Sequence, residues 1–300
     1  MKRIVLLCLV MLSGIVRTSA QTSISLLEDS VSYQIRVGKL TMTVDAGFGG
    51  RIRSFAYDGR EVLSQSRWPE SFGSTFWTSP QKEWNWPPVV EIDKRPYQAE
   101  LNGGRLTLTS EVAQRMGLRV RKEFSADESD NAVVVAYSII NEGQESRRVA
   151  PWEITRVANE GLIFFDSPSD SIWPSGLLNF TSECGVSWYQ CDERPQNRKV
   201  NADGRGWLAY YGNGLLLVKR FQDLDKSQPA EGEAEIQVYV NRGKTYIELE
   251  SQGACTLLKP GESLDWTVRW NLLPCDLSAV PSARLVEMLH TPHHDVPSCK

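Results

Sequence analysis

The sequence predicts an all-β chain, a single large sandwich or barrel, and three observations predict it. Apolar and polar residues alternate at period two through most of the chain, the pattern of strands with one face in a core. Short turn signals rich in Gly, Asn and Asp separate those runs at close intervals. Helical periodicity is scarce, and no linker, fixed-period repeat or low-complexity tract divides the chain.

The elements follow in order. Ser32 to Val44 alternates, with Tyr33, Ile35 and Val37 on one face. Gly47-Phe48-Gly49-Gly50 is a flexible junction into Arg51-Ile52-Arg53-Ser54-Phe55, and Asp58-Gly59 is a hairpin turn before Glu61-Val62-Leu63. Leu101 to Leu106 turns at Asn102-Gly103-Gly104. Leu118 to Phe124 and Ala132 to Ile140 form a pair around the polar turn at Asp127 to Asn131. Gly206 to Tyr211 and Leu215 to Phe221 flank Gly212-Asn213-Gly214. Ile236 to Val240, Tyr246 to Glu250 and Leu264 to Leu272 complete the strands, and Ser282 to Leu289 carries a modest helical stripe of Leu285, Met288 and Leu289.

The chain opens with basic Met1-Lys2-Arg3, an apolar run from Ile4 to Val16, and Thr18-Ser19-Ala20, the layout of a cleavable export signal over 1–20. The run is too short to span a bilayer, and no later segment approaches a span. We therefore expect an exported protein, periplasmic or extracellular, with one β domain over 21–277 and a helix and tail over 278–300. The leader contains Lys2, Arg3 and Arg17, so 30 of the 33 basic residues remain against 37 acids, a formal charge of −7. No basic stripe interleaved with aromatics exists, which argues against nucleic acid. Five cysteines follow the leader. Cys184 with Cys191 would close a small loop and Cys275 with Cys299 could pin the tail, and the odd count, with Cys255 as the fifth, leaves at least one thiol free or paired between chains without fixing which. Nothing has zinc-site spacing, and the only histidines are His290, His293 and His294, so we expect no metal and no cofactor.

Three constellations could carry chemistry. In Tyr246-Ile247-Glu248-Leu249-Glu250-Ser251-Gln252 period two puts Tyr246, Glu248 and Glu250 on one face, with Ile247 and Leu249 on the other. Carboxylates two residues apart on a strand lie about 6–7 Å apart, close enough to raise one pKa toward that of a general base. Spacing alone favours the plainer reading, a solvated outer strand with two acids on it. Trp68, Trp77, Trp84 and Trp86 fall within twenty residues, around Ser79-Pro80-Gln81-Lys82 and Pro87-Pro88. The prolines suggest a loop, whose indoles either plug the end of the core or, with Gln81, line a groove whose flat apolar faces suit sugar rings. Last, a strand ending at Asn141 is followed by Ala150-Pro151-Trp152-Glu153-Ile154-Thr155-Arg156. Glu153 and Arg156 form either a surface ion pair near a strand end or an acid and a charged donor in a cleft.

Together these segments resemble the galactose mutarotase-like (aldose 1-epimerase) superfamily. Gly49-Gly50-Arg51-Ile52 with Asp58-Gly59 resembles its opening hairpin, Val134 to Asn141 the strand preceding its active-site segment, and Leu249-Glu250-Ser251-Gln252 with Pro260-Gly261-Glu262 the region of its catalytic base. The segments around Trp77 to Gln81 and Pro151 to Glu153 look more like a secreted bacterial branch. The resemblance implies a β-supersandwich binding a sugar in a groove on one sheet. It makes Glu250 the base and leaves Glu248 a flanking ligand or a surface charge; Gln81, Trp84, Trp86, Arg156 and Arg51 are taken as the candidate sugar contacts beside it. The family's histidine acids have no counterpart before His290, which leaves Glu153 as the carboxyl to protonate the ring oxygen. Three functions follow as expectations: a carbohydrate-binding protein, an active aldose 1-epimerase-like isomerase, or a non-enzymatic interaction domain. Both sugar readings require Glu250, Glu153 and the Trp84/Trp86 loop to share one cleft.

Overall fold

The computed structural model describes residues 22–290. The expected leader, Cys299 and the end of the tail lie outside them. Two antiparallel sheets face each other across one large apolar core. The first has eleven strands. Its main path runs Ser23–Leu26, Ser32–Val37, Leu40–Asp45, Arg51–Tyr57, Ser74–Ser79, Arg147–Ala158, Tyr246–Gln252, Ile236–Val240 and Arg198–Ala202. Arg60–Glu61 and Thr256–Leu258 pair off that path. The second sheet has ten strands, with Ala132–Asn141 between Leu118–Asp127 and Ser263–Pro274. The helix Ala283–His290 packs Leu285 and Leu289 into a smaller cluster with Leu162, Phe164, Trp188 and Leu216.

The Asp58-Gly59, Asn102-Gly103-Gly104 and Gly212-Asn213-Gly214 hairpins form where expected. Other elements differ. Ser32 to Val44 is two strands, because Gly38 takes a left-handed φ of 58° and folds the chain into a hairpin. The expected loop at Trp77 is a strand, Ser74–Ser79, in which every residue is buried. Each face carries one aromatic, Phe76 or Trp77, among buried Ser and Thr, so the two faces show no period-two contrast. The Glu153 segment is likewise a twelve-residue strand, Arg147–Ala158, in the middle of the first sheet. Cys184 sits in the turn of the Phe180–Glu183/Val186–Gln190 hairpin and Cys191 just past its open end; both are unpaired, and the expected bridge does not form.

Register decides which residues share a face. Ile154 stands opposite Glu250, Arg156 opposite Glu248 and Trp152 opposite Gln252 and Trp77. These side chains therefore line one face of the sheet. Phe76, Ile247, Leu249, Val238 and Val240 point the other way into the core. The Gly49-Gly50 turn is clamped from the second sheet by buried Lys122, whose Nζ donates to the carbonyls of Gly49 (2.7 Å) and Gly50 (3.0 Å). At Gly49, φ is +67° and a Cβ would sit 2.0 Å from the Asp93 carbonyl oxygen, so only glycine fits.

Candidate functional site

The Tyr246–Gln252 strand has a neighbour on each side, so Glu250 is no solvated edge residue: it is 1 % exposed. Its Oε2 accepts hydrogen bonds from the Trp152 indole (2.9 Å) and the Lys199 ammonium (2.9 Å), and among the described residues no donor meets Oε1. Burial pushes its carboxyl pKa up to about 7; Lys199 opposes the rise and the nearby Glu248 charge adds to it. A carboxyl titrating near neutrality serves general base chemistry well. Lys199, 35 % exposed on the edge strand Arg198–Ala202, covers the site and lies 4.8 Å from the centre of the Trp152 ring. Glu248 shares the face and pairs with buried Arg156 at 2.9 Å.

The indoles converge here. Trp77 meets Trp152 edge-on at 5.5 Å, Trp84 at 5.8 Å and Trp86 at 6.1 Å, so three of the four expected indoles form a wall with Trp152 beside Glu250, while Trp68 packs on Phe72 at 3.9 Å instead. Trp84 is buried and donates to the Thr78 carbonyl at 2.8 Å, making it the wall's backing. Trp86 is 70 % exposed and offers a free face. Glu233 reaches in from the preceding loop. Its Oε2 accepts from Gln237 (2.7 Å) and Gln252 (3.3 Å), and its Oε1 from the Gln81 backbone N–H (3.4 Å). Gln81 is thus beside the groove, but through its main chain.

One expected contact is placed otherwise. Arg51 is buried between the Phe48 and Phe72 rings, 4.8 Å from each, and donates to Asp93 at 3.1 Å. The same Asp93 oxygen accepts the Trp77 indole N–H at 2.8 Å, so Arg51 braces the wall from behind. Burial lowers the Arg51 pKa to about 10, and Asp93 works against that fall.

Glu153 does not join Glu250. It stands opposite Ser251 and Phe76, on the core side of the sheet, and is fully buried. There it pairs with Lys219 and accepts from the Tyr137 hydroxyl, both from the second sheet. Lys219 also donates to Thr155 at 2.7 Å and sits 4.8 Å from the Trp270 ring. The expectation of a shared cleft is corrected on parity. Glu153 lies an odd number of residues from both Trp152 and Arg156, and a continuous strand puts such residues on opposite faces. The buried charge is compensated by an inter-sheet ion pair, not by a ligand.

Residues the sequence did not single out complete the site: Trp152 as a donor to the base, Lys199 as its cover, and Glu233 with Gln237. Even spacing from Arg156 was a signal for Trp152. Lys199 had none, because its strand is short and its register is set by contacts far along the chain.

No protein-family model matches the sequence, and no curated protein matches it. Solved structures do match in fold. A candidate aldose 1-epimerase of Klebsiella pneumoniae superposes with a TM-score of 0.60 at 12 % identity, covering 88 % of this chain and 84 % of that one. A galactose mutarotase-like protein of Lactobacillus casei gives 0.54 at 10 % identity, covering 80 % and 99 %. Another from Clostridium acetobutylicum gives 0.53 at 8 % identity, covering 85 % and 99 %. The chain has the galactose mutarotase-like fold, a β-supersandwich with a short C-terminal helix.

Proposed function

We propose that this protein handles carbohydrate, receiving a sugar ring on the outer face of its first sheet between Glu250 and the indole wall. The observation that carries this reading is Glu250 itself. It is a buried carboxyl with a pKa raised to about 7, gripped through one oxygen by Trp152 and Lys199 beside four clustered indoles. Structures named as mutarotase-like and aldose 1-epimerase proteins share the fold, which supports the same class of ligand.

The chemistry open to this arrangement is ring opening. Ionised Glu250 takes the proton of the anomeric hydroxyl, the bond from C1 to the ring oxygen breaks, and that oxygen takes a proton. The open aldehyde then recloses on either face. With no histidine before His290 and Glu153 in the core, the donor on this face is the Lys199 ammonium, which must leave Glu250 to reach the ring oxygen. A second reading, binding without turnover, is favoured by that same ion pair, since it occupies the base. Polarimetry of freshly dissolved α-glucose and α-galactose separates the two. Catalysis predicts faster mutarotation that Glu250→Gln abolishes. Sugar binding without acceleration selects the second reading, and neither effect removes both. The reading includes export, with 1–20 removed; sequencing the N-terminus of secreted material should find Gln21, and a retained Met1 would contradict it.

A further inference from the structure

The row of side chains through Glu250 does not stop at the base. Glu250 pairs across the sheet with Gln237, Gln237 with Asn201, and Asn201 with Trp173 through an isolated bridge. Two backbone hydrogen bonds fix that bridge, Trp173 N to Asn201 O (3.0 Å) and Asn201 N to Trp173 O (2.6 Å). Directly opposed residues share a face, so the row Glu250, Gln237, Asn201, Trp173 lies on the outer face. Three strand spacings put Trp173 about 14 Å from Glu250, a span that one pyranose ring cannot bridge and a short chain of them can.

The members of this row have ligand-binding character. Gln237 is buried, its Nε2 is held by Glu233, and its Oε1 has no partner. A buried acceptor without a donor is costly unless something supplies one. Trp173 is 42 % exposed, a large indole at the end of a polar track where a flat sugar face can stack.

We infer that the ligand is an oligosaccharide, with its reducing-end ring at Glu250, its next unit hydrogen-bonded to Gln237 and Asn201, and a further unit stacked on Trp173. This rests on the sugar reading above and adds length to it. Calorimetric titration with glucose, galactose and their α- and β-linked oligomers of two to four units tests it, using the whole protein. The expected result is affinity that rises with length to three units for at least one linkage. Trp173→Ala should then lower trisaccharide affinity about tenfold while monosaccharide affinity stays put. Because the indole is exposed, the variant should keep the wild-type melting temperature. Equal affinity for one and three units, or a trisaccharide affinity untouched by Trp173→Ala, overturns the extended track and leaves the monosaccharide reading standing. Binding of no sugar at any length overturns both.

Discussion

Replacing Glu153 by Gln removes the negative half of an ion pair that no water reaches. Lys219 keeps Thr155 Oγ1 at 2.7 Å and the Trp270 ring at 4.8 Å, but its ammonium is then uncompensated between the two sheets. Removing one partner of a buried pair costs about 3–5 kcal/mol. In a domain of this size that corresponds to a fall in melting temperature on the order of 10 °C. Burial already pushes the Lys219 pKa down from 10.5, with Glu153 holding it up; without Glu153 the folded state sheds that proton more readily. The unfolded chain then binds more protons than the folded one, so the variant's stability should rise with pH and its deficit should be larger at pH 6 than at pH 9. Lys219→Met should show the reverse trend, and the double variant should cost less than the sum of the two. Thermal unfolding followed by near-ultraviolet circular dichroism reads all three. A Glu153→Gln protein that melts within a degree of wild type yet no longer acts on sugar would refute the structural role and return Glu153 to the chemistry.

Other consequences are as direct. If turnover occurs, its rate should climb with pH through about 7 as Glu250 ionises. Lys199→Met removes both the proposed proton donor and a group that lowers that pKa, so turnover should be lost while the Glu250 titration, followed through the Trp152 indole resonance, moves to higher pH; an unmoved titration would detach Lys199 from the base. Glu235 is buried, its carboxylate held by the Gly204 and Gly206 N–H groups, and burial raises its pKa from 4.5 to about 7. The folded protein therefore holds this proton more tightly than the unfolded chain, and stability should fall as pH rises from 4.5 to about 7. Glu235→Gln should flatten that slope in denaturant titrations at several pH values, and an unchanged slope would reject the assignment. Gly49→Ala drives a Cβ into the Asp93 carbonyl at a left-handed φ; we expect a loss of at least 2 kcal/mol in the same titrations, about what strain at such positions costs, and a loss below 0.5 kcal/mol would show that the turn yields.

Hairpins were legible because their turns carry local chemistry: Asp58 and Gly59 adopt φ of 50° and 79°, values that this residue pair favours. Strands with one open face were legible for the same local reason. Ser74–Ser79 and Arg147–Ala158 were not, since both faces are buried and their polar residues find partners far along the chain. The same blindness misplaced Glu153. Glu248 and Glu250 were correctly put on one face by spacing, but only the unseen Arg147–Ala158 strand fixes which of its own residues join them. The indole cluster was visible as composition, while its position beside Glu250 depends on Trp152 standing opposite Trp77.

The most direct test of the account watches the bond at its centre. Trp152 donates its indole N–H to Glu250, so a sugar entering this site must disturb that resonance. In ¹H–¹⁵N spectra, with the signal assigned through Trp152→Phe, addition of a binding sugar should shift the Trp152 indole peak and also that of Trp77, which meets it edge-on. Glu250→Gln should displace the peak before any sugar is added and blunt its response afterwards. A sugar that binds while both peaks stay in place would contradict a site at Glu250.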